Sequence, residues 1–182
     1  MNEHKDHGRD APDDERTATG RTMIEMNIKG LMVDPVTNMP IILLRDSDGQ
    51  KVLPIWVGVF EANAIALQIE NITPQRPMTH DLMRDILGEL GVNVERIVIS
   101  DLVDQTFFAT IRMAAGSSTP EVSSRPSDAI ALAVRLNTPI YAAEEVLDQA
   151  GIELRDDEET EVQKFREFLD QVSPEDFAAG NG

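Results

Sequence analysis

The chain reads Ser123-Ser124-Arg125-Pro126-Ser127-Asp128-Ala129-Ile130-Ala131-Leu132-Ala133-Val134-Arg135-Leu136 over residues 123–136. Pro126 suits the first position of a helix, where its missing N–H would have no partner. Asp128 follows in the first turn, where a carboxylate meets the positive end of the helix dipole. From Ala129 to Leu136 only Arg135 is polar. A helix apolar nearly all round is a buried one. Arg125, Ser127 and Asp128 are thus gathered at the front of a helix that enters the core. Polar groups there need partners, from protein or from ligand.

Working outward, Pro139-Ile140-Tyr141 predicts a short strand, and a helix over 143–150 is closed by Gly151. On the other side, Val92–Val103 and Thr106–Met113 read as a hairpin around Asp104-Gln105, and Glu121-Val122-Ser123 as a short strand. Nearer the start, Met23–Val33, Met39–Arg45 and Lys51–Val57 predict three strands. Asp48-Gly49 marks a tight hairpin, since glycine accepts positive φ. Pro54 cannot donate to a ladder, so its strand is an edge or carries a bulge. Trp56 beside it reads as core or interface. A helix follows Gly58 to about Asn71, with Glu61 in its first turn. Thr79 reads as the N-cap of the next helix, from about His80 to Leu90. Leu82, Met83, Ile86, Leu87 and Leu90 form its apolar stripe, which predicts a face turned to the core.

Strands clustered in hairpins and helices clustered between them predict an α+β fold: a mainly antiparallel twisted sheet with helices packed on it, in a single domain. Residues 1–22 are polar and charged, and predict a disordered acidic tail. The folded domain spans 23–152. Residues 153–182 read as a charged linker and an amphipathic helix, with Val162, Phe165, Phe168, Leu169 and Val172 at helical spacing. That last stripe needs a partner, either the core or another chain.

The formal net charge is −17. The first 22 residues contribute −2, the middle −8 and residues 153–182 contribute −7. Phosphate contacts are made mainly by Lys and Arg, so any polyanion site has to be a local basic patch. There is no cysteine, which excludes disulfides, thiolate metal sites and a cysteine nucleophile. No apolar run approaches the about 20 residues of a spanning helix, and the N-terminal residues lack the apolar core of a secretory signal. The expected location is the cytoplasm, without membrane contact.

Glycine-rich phosphate loops, nucleophile elbows and zinc-protease helices are all absent. What remains is sparse. His80 could act as general base, because imidazole exchanges its proton near neutral pH. Asp81, Asp128 and Glu61 could hold Mg²⁺ or Mn²⁺, which prefer oxygen ligands. Arg76, Arg125 and Arg135 could clamp phosphate with planar guanidinium groups, with Ser127 beside them. If these groups meet, the set suits phosphodiester cleavage. Each also has a plain structural reading: carboxylates decorating helix starts, and arginines paired with them. His4 and His7, in the tail, read as inert.

Three segments carry a resemblance: Leu53-Pro54-Ile55-Trp56-Val57-Gly58 with Glu61-Ala62, Arg76-Pro77-Met78-Thr79-His80-Asp81-Leu82, and Ser124-Arg125-Pro126-Ser127-Asp128-Ala129-Ile130-Ala131-Leu132-Ala133. In this order they resemble the bifunctional nuclease domain, over about residues 23–152. Phe165-Arg166-Glu167-Phe168-Leu169 with Pro174-Glu175-Asp176-Phe177 resembles the tail of bacterial members. The resemblance implies an α+β domain that associates as dimers or larger, with activity on both RNA and DNA. The motif residues it carries over are Glu61, Arg76, His80, Asp81, Arg125, Ser127 and Asp128. Their roles rest on chemistry, not on the family.

Two functions follow. One is a nuclease of broad specificity using metal-assisted hydrolysis, its site between the two Arg-Pro helix starts. The other is a non-catalytic oligomeric binding or regulatory module, whose same polar groups form a structural network or hold a small anion.

Overall fold

The structure is a computed structural model and describes residues 20–153. Eight strands form one sheet in the order β6-β5-β4-β7-β1-β2-β3-β8. The first group is β1 (Met23–Val33), β2 (Pro40–Asp46) and β3 (Lys51–Trp56). The second is β4 (Asn93–Val103), β5 (Thr106–Ala114) and β6 (Glu121–Ser124). Strand β7 (Ile140–Ala143) sits between them, parallel to β4 and antiparallel to β1. All other pairings are antiparallel. The α+β architecture read from the order of hairpins and helices is the one observed.

Local chemistry explains most of these elements. Asp104 and Gln105 both adopt positive φ, 46° and 62°, which gives the two-residue turn whose twist matches the flanking strands. Gly49 at φ 76° turns the β2–β3 hairpin. Ile41, Ile42 and Leu44 are wholly inaccessible, so β2 is buried on both faces, as its unbroken apolar run requires. Pro54 lies opposite Leu43 of β2, while β8 (Ile152–Glu153) pairs only with Lys51 and Val52. Beyond that two-residue strand β3 is an edge, so the missing N–H of Pro54 costs nothing on that side. Strand β8 is too short for a hydrophobic period to announce it.

The helices are α1 (Val59–Ile69), α2 (Thr79–Glu89), α3 (Pro126–Leu136) and α4 (Glu144–Ala150). Helix α3 carries the chain from the edge strand β6 back across β5 and β4 to β7, and packs on β4 and β5. Ala129 to Ala133 are at most 1 % exposed. Helices α1 and α2 each pack against α3. Helix α4 touches the neighbouring strands β4 and β7 and also β3, three strands beyond β7 in the order, so the sheet curls around one continuous core.

Two expectations for α2 change. Thr79 is its first helical residue and Met78 the cap. The capping contact comes instead from Asp81, whose Oδ2 accepts the Met78 N–H at 2.9 Å. Most of its apolar stripe faces outward: Leu82 is 53 %, Ile86 48 % and Leu90 71 % exposed, while Leu87 packs on the core. The buried residues of α2 are His80 and Asp81. Residues 21–22, read as tail, lie within the described residues and touch the fold. Arg21 pairs with Asp101 at 3.0 Å, and Thr22 O accepts from Glu144 N–H. The amphipathic segment at 162–172 and residues 1–19 lie outside the described residues.

Candidate active site

Three helix starts converge. Gly58, Met78 and Arg125 cap α1, α2 and α3, and the third helical residue of each is Glu61, Asp81 and Asp128 in turn. Two of these carboxylates share one arginine. Arg125 Nε donates to Asp128 Oδ2 at 2.8 Å, and its Nη2 donates to Glu61 Oε1 at 2.8 Å. The other oxygen of Asp128 lies 3.1 Å from His80 Nε2. The result is a chain across three helices, Glu61–Arg125–Asp128–His80. Residues 48 and 64 positions apart in sequence meet in it.

Exposure runs along this chain. The Arg125 side chain is 66 % exposed, that of Asp128 29 % and that of His80 9 %. The guanidinium therefore meets solvent while the imidazole sits beneath it. Hydrogen bonds from Arg125 to Asp128 first, then to Glu61, raise the arginine pKa further and keep it charged. Gly58 leaves room for this arrangement. A Cβ added there would collide with Glu61 Oε2, which folds back over the start of its own helix.

Asp81 is engaged elsewhere. Its Oδ1 accepts from Arg135 Nε at 2.6 Å. Arg135 also donates to Ala131 O at 2.7 Å and Ala64 O at 3.0 Å. One guanidinium thus ties α1, α2 and α3 together. Its reach back to Ala131 follows from side chains tilting toward the helix N-terminus. Burial pushes the Asp81 carboxyl up, but the Met78 N–H and Arg135 outweigh it and hold it below the usual carboxylate range. The Arg135 side chain is 2 % exposed, so the phosphate-clamping role considered for it does not fit. It is a structural cation.

The remaining candidates divide. Ser127 is buried at 6 % exposure, much like His80 at 7 %. Arg76 is exposed, with no ion-pair partner among the described residues. A cleft of about 260 Å³ lies among the end of α1, the 72–77 loop and α2, lined by Gln68, Pro74, Pro77, Asp81, Arg84 and Arg135 among others. It is on the Asp81 side, not around His80 and Asp128. The starts of α1 and α3 meet at Arg125, and this cleft does not enclose them. Among the described residues no three His, Asp or Glu side chains are grouped as a metal would require. Glu61 and Asp128 share Arg125 where a cation would have to sit.

Sequence reasoning passed over Phe60. It is 87 % exposed at the start of α1, next to Glu61. Its only signal was a large aromatic residue in a first turn, which reads equally well as core.

With this geometry stands a family match over residues 42–155, to the model described as the bifunctional nuclease domain. The chain belongs to the bifunctional nuclease domain family. An uncharacterized protein of Mycobacterium tuberculosis is 43 % identical over 166 residues, covering 86 % of this chain and 99 % of that protein. Plant members are more distant. "Bifunctional nuclease 2" of Oryza sativa subsp. japonica is 26 % identical over 133 residues, 71 % of this chain and 41 % of its own length. "Bifunctional nuclease 1" of Arabidopsis thaliana is 29 % identical over 105 residues, 56 % of this chain and 32 % of its own length. The family match spans α1, α2 and α3 and hence every residue of the Glu61–His80 chain. Among the described residues no helix is long and apolar enough to cross a membrane.

Proposed function

We propose that this protein is a nuclease acting on RNA, DNA or both, and that Glu61, Arg125, Asp128 and His80 are its working residues. The observation that carries this reading is one exposed arginine shared by the starts of α1 and α3, with the start of α2 joined to it through His80 and Asp128. Helix N-termini attract anions through their free N–H groups and aligned dipoles. Arg125 adds an exposed guanidinium there, and a phosphate that binds it takes the place of the Glu61 or Asp128 carboxylate as its partner.

Each side chain then has a role. Asp128 accepts from His80 Nε2, which leaves the other ring nitrogen as the lone-pair atom able to take a proton from water. The imidazole is nearly enclosed, so its partner has to be as small as water. Arg125 offsets the charge that grows on the phosphate oxygens. Glu61 holds Arg125 from the far side. Phe60 offers an exposed ring on which a nucleobase can stack, and Arg76 a further phosphate contact.

Metal assistance is a separate part of the proposal. Mg²⁺ or Mn²⁺ at Glu61 and Asp128 has to displace Arg125, and Asp81 becomes a ligand only by leaving Arg135. A bound cation supplies an activated water and charge compensation. A cytoplasmic homo-oligomer is the proposed state, with the absence of cysteine fitting a reducing compartment.

The test is cleavage of plasmid DNA and of RNA by purified full-length protein. His80→Ala and Asp128→Asn should each lower cleavage at least about a hundredfold while the melting profile stays cooperative. Chelator followed by added Mg²⁺ or Mn²⁺ reads the metal question. Cleavage that persists unchanged in both variants overturns the nuclease reading. One observation favours the alternative, a non-catalytic oligomeric module: all three carboxylates are satisfied by arginine, histidine or a helix N–H. On that reading the two variants lose stability or assembly instead of cleavage.

A further inference from the structure

The cleft between the end of α1, the 72–77 loop and α2 takes no part in the nuclease reading. It holds about 260 Å³. Its charged groups are graded by depth. The Arg135 side chain is 2 % exposed and that of Asp81 11 %, whereas that of Arg84 is 40 % exposed. The buried ion pair therefore forms the floor, and Arg84 stands at the mouth. None of these groups is used up. The Arg135 guanidinium carries five N–H groups, and three are bonded, to Asp81, Ala131 and Ala64. Each Asp81 oxygen accepts one hydrogen bond and keeps a second lone pair. Arg84 reaches Asp85 through Nε and Nη2, which leaves Nη1 open. Gln68 and Thr73 also line the cleft, and neither side chain makes a hydrogen bond among the described residues. Ile72, 50 % exposed, forms an apolar wall with Pro74 and Pro77. Apolar walls around a few converging polar groups are the build of a small-ligand pocket.

We propose that this cleft binds a nucleoside monophosphate, at a site separate from Glu61, Arg125, Asp128 and His80. Charge selects an anion. Two guanidinium groups and one carboxylate line the cleft, a positive set on a chain of net charge −17. The phosphate belongs at the mouth, on the open side of Arg84, where a planar guanidinium meets it. A hydrogen-bonding ring belongs deeper. The floor sets the Asp81 acceptors beside the Arg135 donors, and the Gln68 amide adds one group of each kind. The edge of a nucleobase presents donors next to acceptors in the same way. Bare phosphate has no donor for Asp81 and meets its charge. An aliphatic body leaves the floor unpaired, which is costly at a buried position. Ligand pockets begin at about 300 Å³, so the cleft takes one nucleotide with its phosphate at the rim, and not a strand. The inference rests on the cleft and not on cleavage.

The test is calorimetric titration of the full-length protein with each of the four common nucleoside monophosphates. At least one should bind with a Kd of about 100 µM or tighter. Ribose 5-phosphate and inorganic phosphate, which lack the ring, should bind at least about tenfold more weakly. Arg84→Gln should weaken the nucleotide at least about tenfold. Arg84 is partly exposed, so the variant keeps its fold, which a melting profile checks. Gln68→Ala should weaken the nucleotide about fivefold and leave phosphate unaffected. Arg125→Gln, at the helix starts, should leave nucleotide affinity within about twofold. No binding at millimolar nucleotide overturns the proposal. Affinity lost in Arg125→Gln and kept in Arg84→Gln overturns it too, because the nucleotide then sits at the helix starts. Phosphate or ribose 5-phosphate binding as tightly as the nucleotide removes the ring from the cleft and overturns it as well. The titrations read binding alone, so a protein without nuclease activity still tests the cleft.

Discussion

Arg125 spans two helix starts with one planar group, and little else can replace it there. Lysine offers the charge but not the fork, so it can satisfy Asp128 or Glu61 but not both in the same geometry. Arg125→Lys is expected to lower cleavage about tenfold or more, and Arg125→Ala about a hundredfold, both measured as single-turnover rates. Most of the arginine is exposed, so its removal should cost little stability. Gly58 offers a subtler case. Its φ of −67° suits any residue, so Gly58→Ala meets no backbone strain. The added methyl pushes Glu61 off its position and slackens its hold on Arg125. Lower activity with stability changed by less than about 0.5 kcal/mol is the expected outcome, read by assay and urea titration together. These residues show how far the sequence could be read. That Asp128 and Arg125 pair was legible, since they lie a helical turn apart. That Glu61 completes the pair, 64 positions away, was not, because spacing says nothing about which helices become neighbours.

Helix α2 is held by ion pairs where most helices are held by apolar burial. Its hydrophobic stripe predicted a core-facing side; of that stripe Leu87 packs on the core, while Leu82, Ile86 and Leu90 are exposed. The periodicity was real, but His80 and Asp81 set which side of the helix turns inward. Removing Arg135 leaves the Asp81 carboxylate without its ion-pair partner and strips donors from Ala64 and Ala131. Arg135→Met should cost about 3 kcal/mol, measured by urea denaturation. Replacing both partners by apolar residues should cost much less, because no charge is then stranded. The same variants should free α2 to rotate, which raises exchange of its amides before global unfolding.

For the whole molecule, acid stability is set by carboxylates held low in the fold. Asp34 is fully inaccessible. Burial pushes its carboxyl up, yet the Thr37 hydroxyl at 2.6 Å, the Val36 and Thr37 N–H groups and the Trp56 indole together hold it below its usual range. Asp81 is depressed in the same sense. A depressed folded-state pKa means that the stabilisation is complete above the unfolded value, about 3.9. It fades as pH falls through the lower folded value. Melting temperature should therefore hold down to about pH 5 and drop below about pH 4. Asp34→Asn should flatten that drop and lower stability at pH 7. Binding of nucleic acid belongs to the same scale. With so few phosphate-facing cations, affinity should fall with salt on a shallow slope of about −2 to −3 in log–log form, against the steeper slopes of wholly basic surfaces.

The sequence by itself determined the elements. Proline, glycine and aspartate at turns, continuous apolar runs in β2 and α3, and hairpin signals at Asp48-Gly49 and Asp104-Gln105 are local facts, and local sterics and burial read them directly. It also determined the family, because three short motifs keep their order along the chain. Tertiary structure alone decided which polar residues work together. Asp128 went to His80 and Arg125, Asp81 to Arg135, and the apolar face of α2 to solvent. Those choices depend on how α1 and α2 sit against α3, and that packing rests on contacts between residues far apart in sequence, which no local pattern encodes.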